Sequence, residues 1–227
     1  MPDLLLEIGT EELPSSAVYD ALAQMERSVP ELLGKARIGY EEIWTLATPR
    51  RLAVTVRGLA YRAAAQVTRN AGPPLAAARD ADGNWTKAAL GFAGAQGIEP
   101  DDLRIEKMDK GERIVAVTET EGDEVEDILP GLLLEVVTSL RFSKSMRWGS
   151  REERFSRPVR WVVALLRQKV IEFEYAGLSS SSVSQWHRYL SAGRITIETP
   201  RAYEHALKEA FVIADHRTRL AEIIRSA

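Results

Sequence analysis

Cysteine is missing from all 227 residues. Its absence removes disulfides, thiolate metal ligands and cysteine nucleophiles, and it suits a reducing cytoplasm. No apolar run approaches the ~20 residues that a membrane-spanning helix needs. The stretch 159–166 is far too short and sits among arginines. The first residues carry no basic stretch, and Glu7 interrupts their apolar run, so no signal peptide is expected. Histidine is scarce, and His187, His205 and His216 do not have the spacing of metal ligands. His205 and His216 read as hydrogen-bonded structural residues, whereas His187, between Trp186 and Arg188, also suits contact with RNA. The chain has no phosphate-binding Gly-x4-Gly-Lys-Ser/Thr loop, no Gly-x-Ser-x-Gly elbow and no His-Glu-x-x-His. Gly91, Gly94 and Gly97 fall in a helical stretch and read as small residues permitting close packing, not as a dinucleotide fingerprint. Residues 217–227 read as a helix with no stop signal, so a longer polypeptide is expected.

What is present is segregated charge. The net charge is only −3, yet the first thirty-odd residues are acidic, 43–79 contain no acid, and 99–127 turn acidic again. A basic cluster follows: Arg141, Lys144, Arg147, Arg151, Arg154, Arg157 and Arg160, opposed only by Glu152 and Glu153 and interleaved with Trp148, Phe155 and Trp161. Cations displace phosphate counterions and aromatic faces stack on exposed bases, so this composition points towards RNA. Trp148 and Trp161 fit burial beside a polar surface equally well.

The apolar pattern predicts a strand over 4–8 and a helix with Ser15 or Ser16 as its N-cap that Pro30 and Gly34 end. Strands follow over 42–47 and 52–56, joined by the turn Thr48-Pro-Arg-Arg51, which presents adjacent guanidiniums suited to phosphate. Residues 70–74 and 80–84 read as turns bounding a linker. Thr86 should cap a helix through Ala95 that ends at Gly97. Strands at 103–108 and 113–118 are joined by a turn at 109–111, and a helix runs over 125–140. Strands over 159–166 and 170–175 come next, then a helix opened by Pro200. This irregular interleaving predicts an α+β fold with mixed or antiparallel sheets. The expected division is one domain from 1–69 and 143–227, with 70–142 as an inserted lobe. Glu7, Glu11 and Glu12 could form a carboxylate site with a metal, but the turn and helix start offer Glu11 and Glu12 a plainer role.

Taken in order, Leu6-Glu-Ile-Gly-Thr-Glu-Glu-Leu-Pro14, Thr48-Pro-Arg-Arg-Leu-Ala53, Lys87-Ala-Ala-x-Gly-Phe-Ala93, Lys144-Ser-Met-Arg-Trp148 and Phe155-Ser-Arg-Pro-Val-Arg-Trp161 closely resemble the N-terminal region of the bacterial glycyl-tRNA synthetase beta subunit. One block departs from the family pattern. Ser184-Gln-Trp-His-Arg-Tyr189 stands where the family usually has Thr-x-Gly-His-Arg-Phe, so Trp186 replaces a glycine while His187 and Arg188 match. The resemblance implies a fold like the body and tail domains of archaeal CCA-adding enzymes, which grip the acceptor arm of tRNA. It implies a cytoplasmic ligase complex, of α2β2 form, in which a separate alpha subunit holds the active site with ATP and Mg2+. This region would bind no cofactor and hold no catalytic residue. It would help place tRNA-Gly, with Arg50, Arg51, Lys144, Arg147, Arg157 and Arg160 on phosphates and Trp148, His187 and Arg188 on bases or riboses. The rival expectations are a module that docks the alpha subunit without touching RNA, and an enzyme using Glu7, Glu11 and Glu12.

Overall fold

A computed structural model of the chain describes every residue except 81, 109–110, 151, 191–192 and 227. The architecture is α+β, in two compact units: Met1–Ala63 with Asp123–Ala227, and Ala64–Gly122. No described helix is long and apolar enough to cross a membrane.

The larger unit is built on an antiparallel five-stranded sheet. Its order is Lys169–Val170, Val159–Leu166, Leu4–Thr10, Arg51–Arg57, Glu42–Thr48. Leu4–Thr10 lies in the middle and is buried throughout, so both faces of this strand meet protein and alternation decides which core each residue enters. Leu4, Leu6 and Ile8 pack with the helices Ser15–Lys35 and Val125–Ser139. Leu5 enters a second core with Trp161, Ile197, Tyr203 and Leu207. Glu7 and Gly9 share the parity of Leu5, so a charge and a glycine lie towards that second layer.

The long helix corrects two expectations. It starts at Ser15 with Pro14 as its capping residue and no side-chain cap, and it passes through Pro30 to Lys35. Val29, Leu32 and Leu33 are buried in helical register around the proline. Their packing outweighs the lost N–H bond, a cost of about 3 kcal/mol in an exposed helix. The helix Val125–Ser139, assigned from sequence to the inserted lobe, buries Leu129, Leu133 and Val136 in the core of the larger unit. The strand expected over 170–175 is broken: Val170 pairs with Leu165, while Glu174–Tyr175 pairs with Leu178–Ser179. Ala176 and Gly177, both at positive φ, form the tight turn between the latter pair.

The smaller unit is a three-stranded antiparallel sheet, ordered Gln66–Pro74, Gly111–Thr120, Arg104–Met108. The helix Lys87–Gln96 contributes Ala89 and Ala93 to its core. Thr86 caps that helix by accepting the Ala89 N–H at 3.4 Å, and Gly97 ends it in the left-handed conformation. The turn expected at 109–111 lies largely outside the described residues. Residues 70–74, read from sequence as a turn, belong instead to an edge strand with a bulge between Ala71 and Pro74. An edge strand tolerates proline because its outer N–H groups need no ladder partner. Gly72 leaves room for a ring, since a Cβ there would stand 2.6 Å from Phe92. A Cβ added at Gly91 or Gly94 would meet nothing within 4 Å; the close packing expected of them is made by Ala89 and Ala93.

Candidate nucleic-acid interface

The candidate surface rests on a buried polar cluster on the sheet. Glu7 is fully buried; its Oε1 accepts a hydrogen bond from Ser184 Oγ at 2.7 Å and another from Trp161 Nε1. Arg51 Nε lies 3.7 Å from the same carboxylate oxygen, and Arg51 Nη2 donates to the Gln185 carbonyl at 2.7 Å. Arg51 is only 3% exposed, which corrects the expectation that adjacent guanidiniums are presented at this turn. Glu7 draws one of them inward, because a buried carboxylate needs a cation and donors. Tyr203 closes the cluster. Burial and then the charge of Glu7 push its phenol well above its ordinary pKa, so it stays protonated. Gly9, opposite Trp161 in the ladder, makes this possible: a Cβ there would lie 1.8 Å from the indole.

Above the cluster opens a cleft of about 360 Å³. Four residues singled out from sequence line it together: Arg50, Arg51, His187 and Arg188. Trp186, Tyr189, Phe211 and Arg219 also line it, as does the carboxylate-bearing Glu12; none of these five was among the expected RNA contacts. Arg50 is half-buried, and its Nε has no hydrogen-bond partner; the Trp186 indole N–H is likewise buried without one. His187 Nδ1 accepts the backbone N–H groups of Tyr189 at 3.2 Å and Leu190 at 3.1 Å, so this ring shapes the loop that carries Arg188. The His187 backbone N–H donates to the Ala210 carbonyl at 3.3 Å, which ties that loop to the segment bearing Phe211. Arg219 is engaged by the backbone, donating to the carbonyls of Ala47 and Ile213.

Glu11 connects this cleft to the basic cluster. Its carboxylate lies 3.4 Å from Arg160 and 3.7 Å from Arg188, and Glu12 lies 3.7 Å from Arg188. The three glutamates therefore diverge: Glu7 goes inward and the other two meet arginines. Arg160 and Trp148 line a second groove, of about 520 Å³, with Phe155 and Tyr175. The Trp148 indole donates to the Phe155 carbonyl at 3.0 Å, so its ring is oriented by the fold. Trp161 is a core residue. Met146–Arg147 pairs with Arg154–Phe155 as a short hairpin. Lys144 and Arg147 are exposed, and neither has a carboxylate within 4 Å among the described residues. Arg157 is half-buried and donates to the Ser156 carbonyl at 3.1 Å. Arg151 lies outside the described residues.

The sequence profile of the glycyl-tRNA synthetase beta subunit matches residues 4–227. The chain belongs to the glycyl-tRNA synthetase beta subunit family. It is 39% identical to the glycine–tRNA ligase beta subunit of Natranaerobius thermophilus over 95% of this chain and 31% of that protein. The corresponding figures are 41%, 98% and 32% for Listeria welshimeri, and 42%, 96% and 31% for Moorella thermoacetica. The chain thus spans about a third of the length of these beta subunits. The beta subunit blocks noted in the sequence now have physical reasons. In Leu6–Pro14, Glu7 anchors Arg51 and Trp161, Gly9 clears the indole, and Glu11 meets two arginines. The Trp186 that departs from the family pattern lines the cleft wall.

Proposed function

We propose that this chain is a tRNA-binding, non-catalytic part of glycine–tRNA ligase that helps place the acceptor arm of tRNA-Gly. Glycylation would occur on the alpha subunit, which supplies the site for ATP and Mg2+, in an α2β2 assembly in the cytoplasm. The observation that carries this reading is the pairing of two features in one unit. Arg147 on a hairpin and Lys144 just before it have no counter-carboxylate among the described residues, and an aromatic cleft bears Arg50 and Arg188. Phosphate contacts need such uncompensated cations, and base contacts need rings beside them. Arg160 and Arg188 exchange Glu11 and Glu12 for phosphate; Arg51 serves the fold beneath.

The test is affinity for tRNA-Gly across a salt titration. Each phosphate contact contributes about 0.7–0.9 to the slope of log K against log salt. Arg147→Ala and Lys144→Ala should each flatten the slope by about that amount, while Arg51→Ala unfolds the site instead. An unchanged slope in both surface variants removes the reading. A second reading, docking on the alpha subunit, is favoured by the neutralisation of Arg160 and Arg188 by Glu11 and Glu12. It predicts tight alpha binding, no measurable RNA affinity, and loss of assembly in Arg147→Glu.

A further inference from the structure

The wall of the cleft contains a residue that is costly to the fold and unrewarded by packing. Helix Tyr203–Glu209 ends with the Phe211 N–H donating to the Lys208 carbonyl at 3.0 Å and the Val212 N–H donating to the Leu207 carbonyl at 2.8 Å. That bonding pattern places Phe211 in the left-handed position where helices normally use glycine. Its φ is +60°, a conformation that strains a bulky side chain. Burial does not offset the strain, because Phe211 is 61% exposed. The apolar contact that usually accompanies this cap is already made by Val212 with Leu207, both buried in the second core. Phe211 thus lines the cleft as an exposed aromatic residue together with Tyr189, which is 79% exposed. Arg188 Cζ lies 5.7 Å from the Tyr189 ring centroid, and Arg50 lines the same cleft.

We propose that this cleft holds one unpaired nucleotide of RNA, its base stacked on the exposed rings of Phe211 and Tyr189 and its phosphate met by Arg50 and Arg188. The inference rests on the RNA-binding reading above and specifies what enters the site. The volume of about 360 Å³ is at the small end of the ~300–1,000 Å³ range of ligand pockets. It admits a base with its sugar and excludes a duplex. Paired bases offer only their edges, whereas an unstacked base offers the π-face that aromatic walls bind without sequence preference.

The experiment compares two RNA hairpins of identical stem on the full chain, one blunt and one with a short unpaired 3′ overhang carrying 2-aminopurine. The overhang should tighten binding by about tenfold or more, the size of one stacked base, and its fluorescence should change on binding. Phe211→Gly should erase the difference between the two RNAs while raising the thermal unfolding midpoint, because glycine relieves the left-handed strain. A purely structural role for Phe211 predicts no change in RNA preference. Tyr189→Ala should reduce the preference with the fold intact. Equal binding of both hairpins, or an overhang preference that survives Phe211→Gly, overturns the inference and leaves the RNA-binding reading standing. Binding of neither hairpin overturns both.

Discussion

At the scale of single residues, Gly9 and Asp3 show how narrowly the first strand is specified. Any side chain at Gly9 occupies the space of the Trp161 indole. Gly9→Ala should therefore cost about 3 kcal/mol or more, at the upper end of overpacking effects. In a Trp161→Ala background the same change should cost far less, and denaturant unfolding of the four proteins of this cycle measures the coupling. Asp3 accepts the Gly58 N–H at 3.1 Å and an ion-paired bond from Arg201. Burial acts to raise its pKa, but the bonds from Arg201 and Gly58 and the charges of Arg201 and Arg57 prevail and hold it below the ordinary value. A depressed carboxylate stabilises the fold above its unfolded pKa of about 4, and that stabilisation is lost as pH falls through the folded value. Asp3→Asn should lower stability at neutral pH and flatten its fall below about pH 4; a parallel fall in both proteins contradicts the assignment.

At the scale of elements, legibility followed how local the deciding interaction is. Lys87–Gln96 could be read almost to the residue because Thr86 and Gly97 mark its ends within a few positions. Thr86→Ala should cost about 1 kcal/mol, and hydrogen exchange should show the loss confined to the smaller unit. Where distant partners decide, sequence failed. Pro30 reads as a stop, yet buried Val29, Leu32 and Leu33 carry the helix through it. Residues 70–74 read as a turn, yet pairing with Gly111–Thr120 makes them a strand. The same division runs through the site. Arg50, His187 and Arg188 were visible in motifs, and the fold brings them to one cleft. That Arg51 turns inward depends on Glu7, a strand away in the sheet. Phe211 escaped notice because no local signal marks an aromatic residue in a position that favours glycine.

At the scale of the molecule, the two units differ in what holds them. The core of the smaller one rests on Ala78, Ala89, Ala93 and Ala116 with Leu103 and Ile114. Alanines bury little area, and burial contributes only about 25 cal/mol per Å². The larger unit packs leucine, isoleucine, valine and aromatic side chains on both faces of its sheet. Amides of Gly111–Thr120 should exchange with solvent at least tenfold faster than those of Leu4–Thr10, as independent opening of a weaker cooperative unit requires; equal rates mean the chain opens as one. The sheet order has another consequence, set by time instead of energy. Leu4–Thr10 leaves the ribosome well before one of its two neighbours, Val159–Leu166. At synthesis rates of about 5–20 residues per second, that partner arrives roughly 8–30 s later. Throughout that interval the nascent chain carries a strand destined for complete burial with one edge unpaired. Newly made protein, unlike the finished fold, should be a client for chaperones that shield open strands.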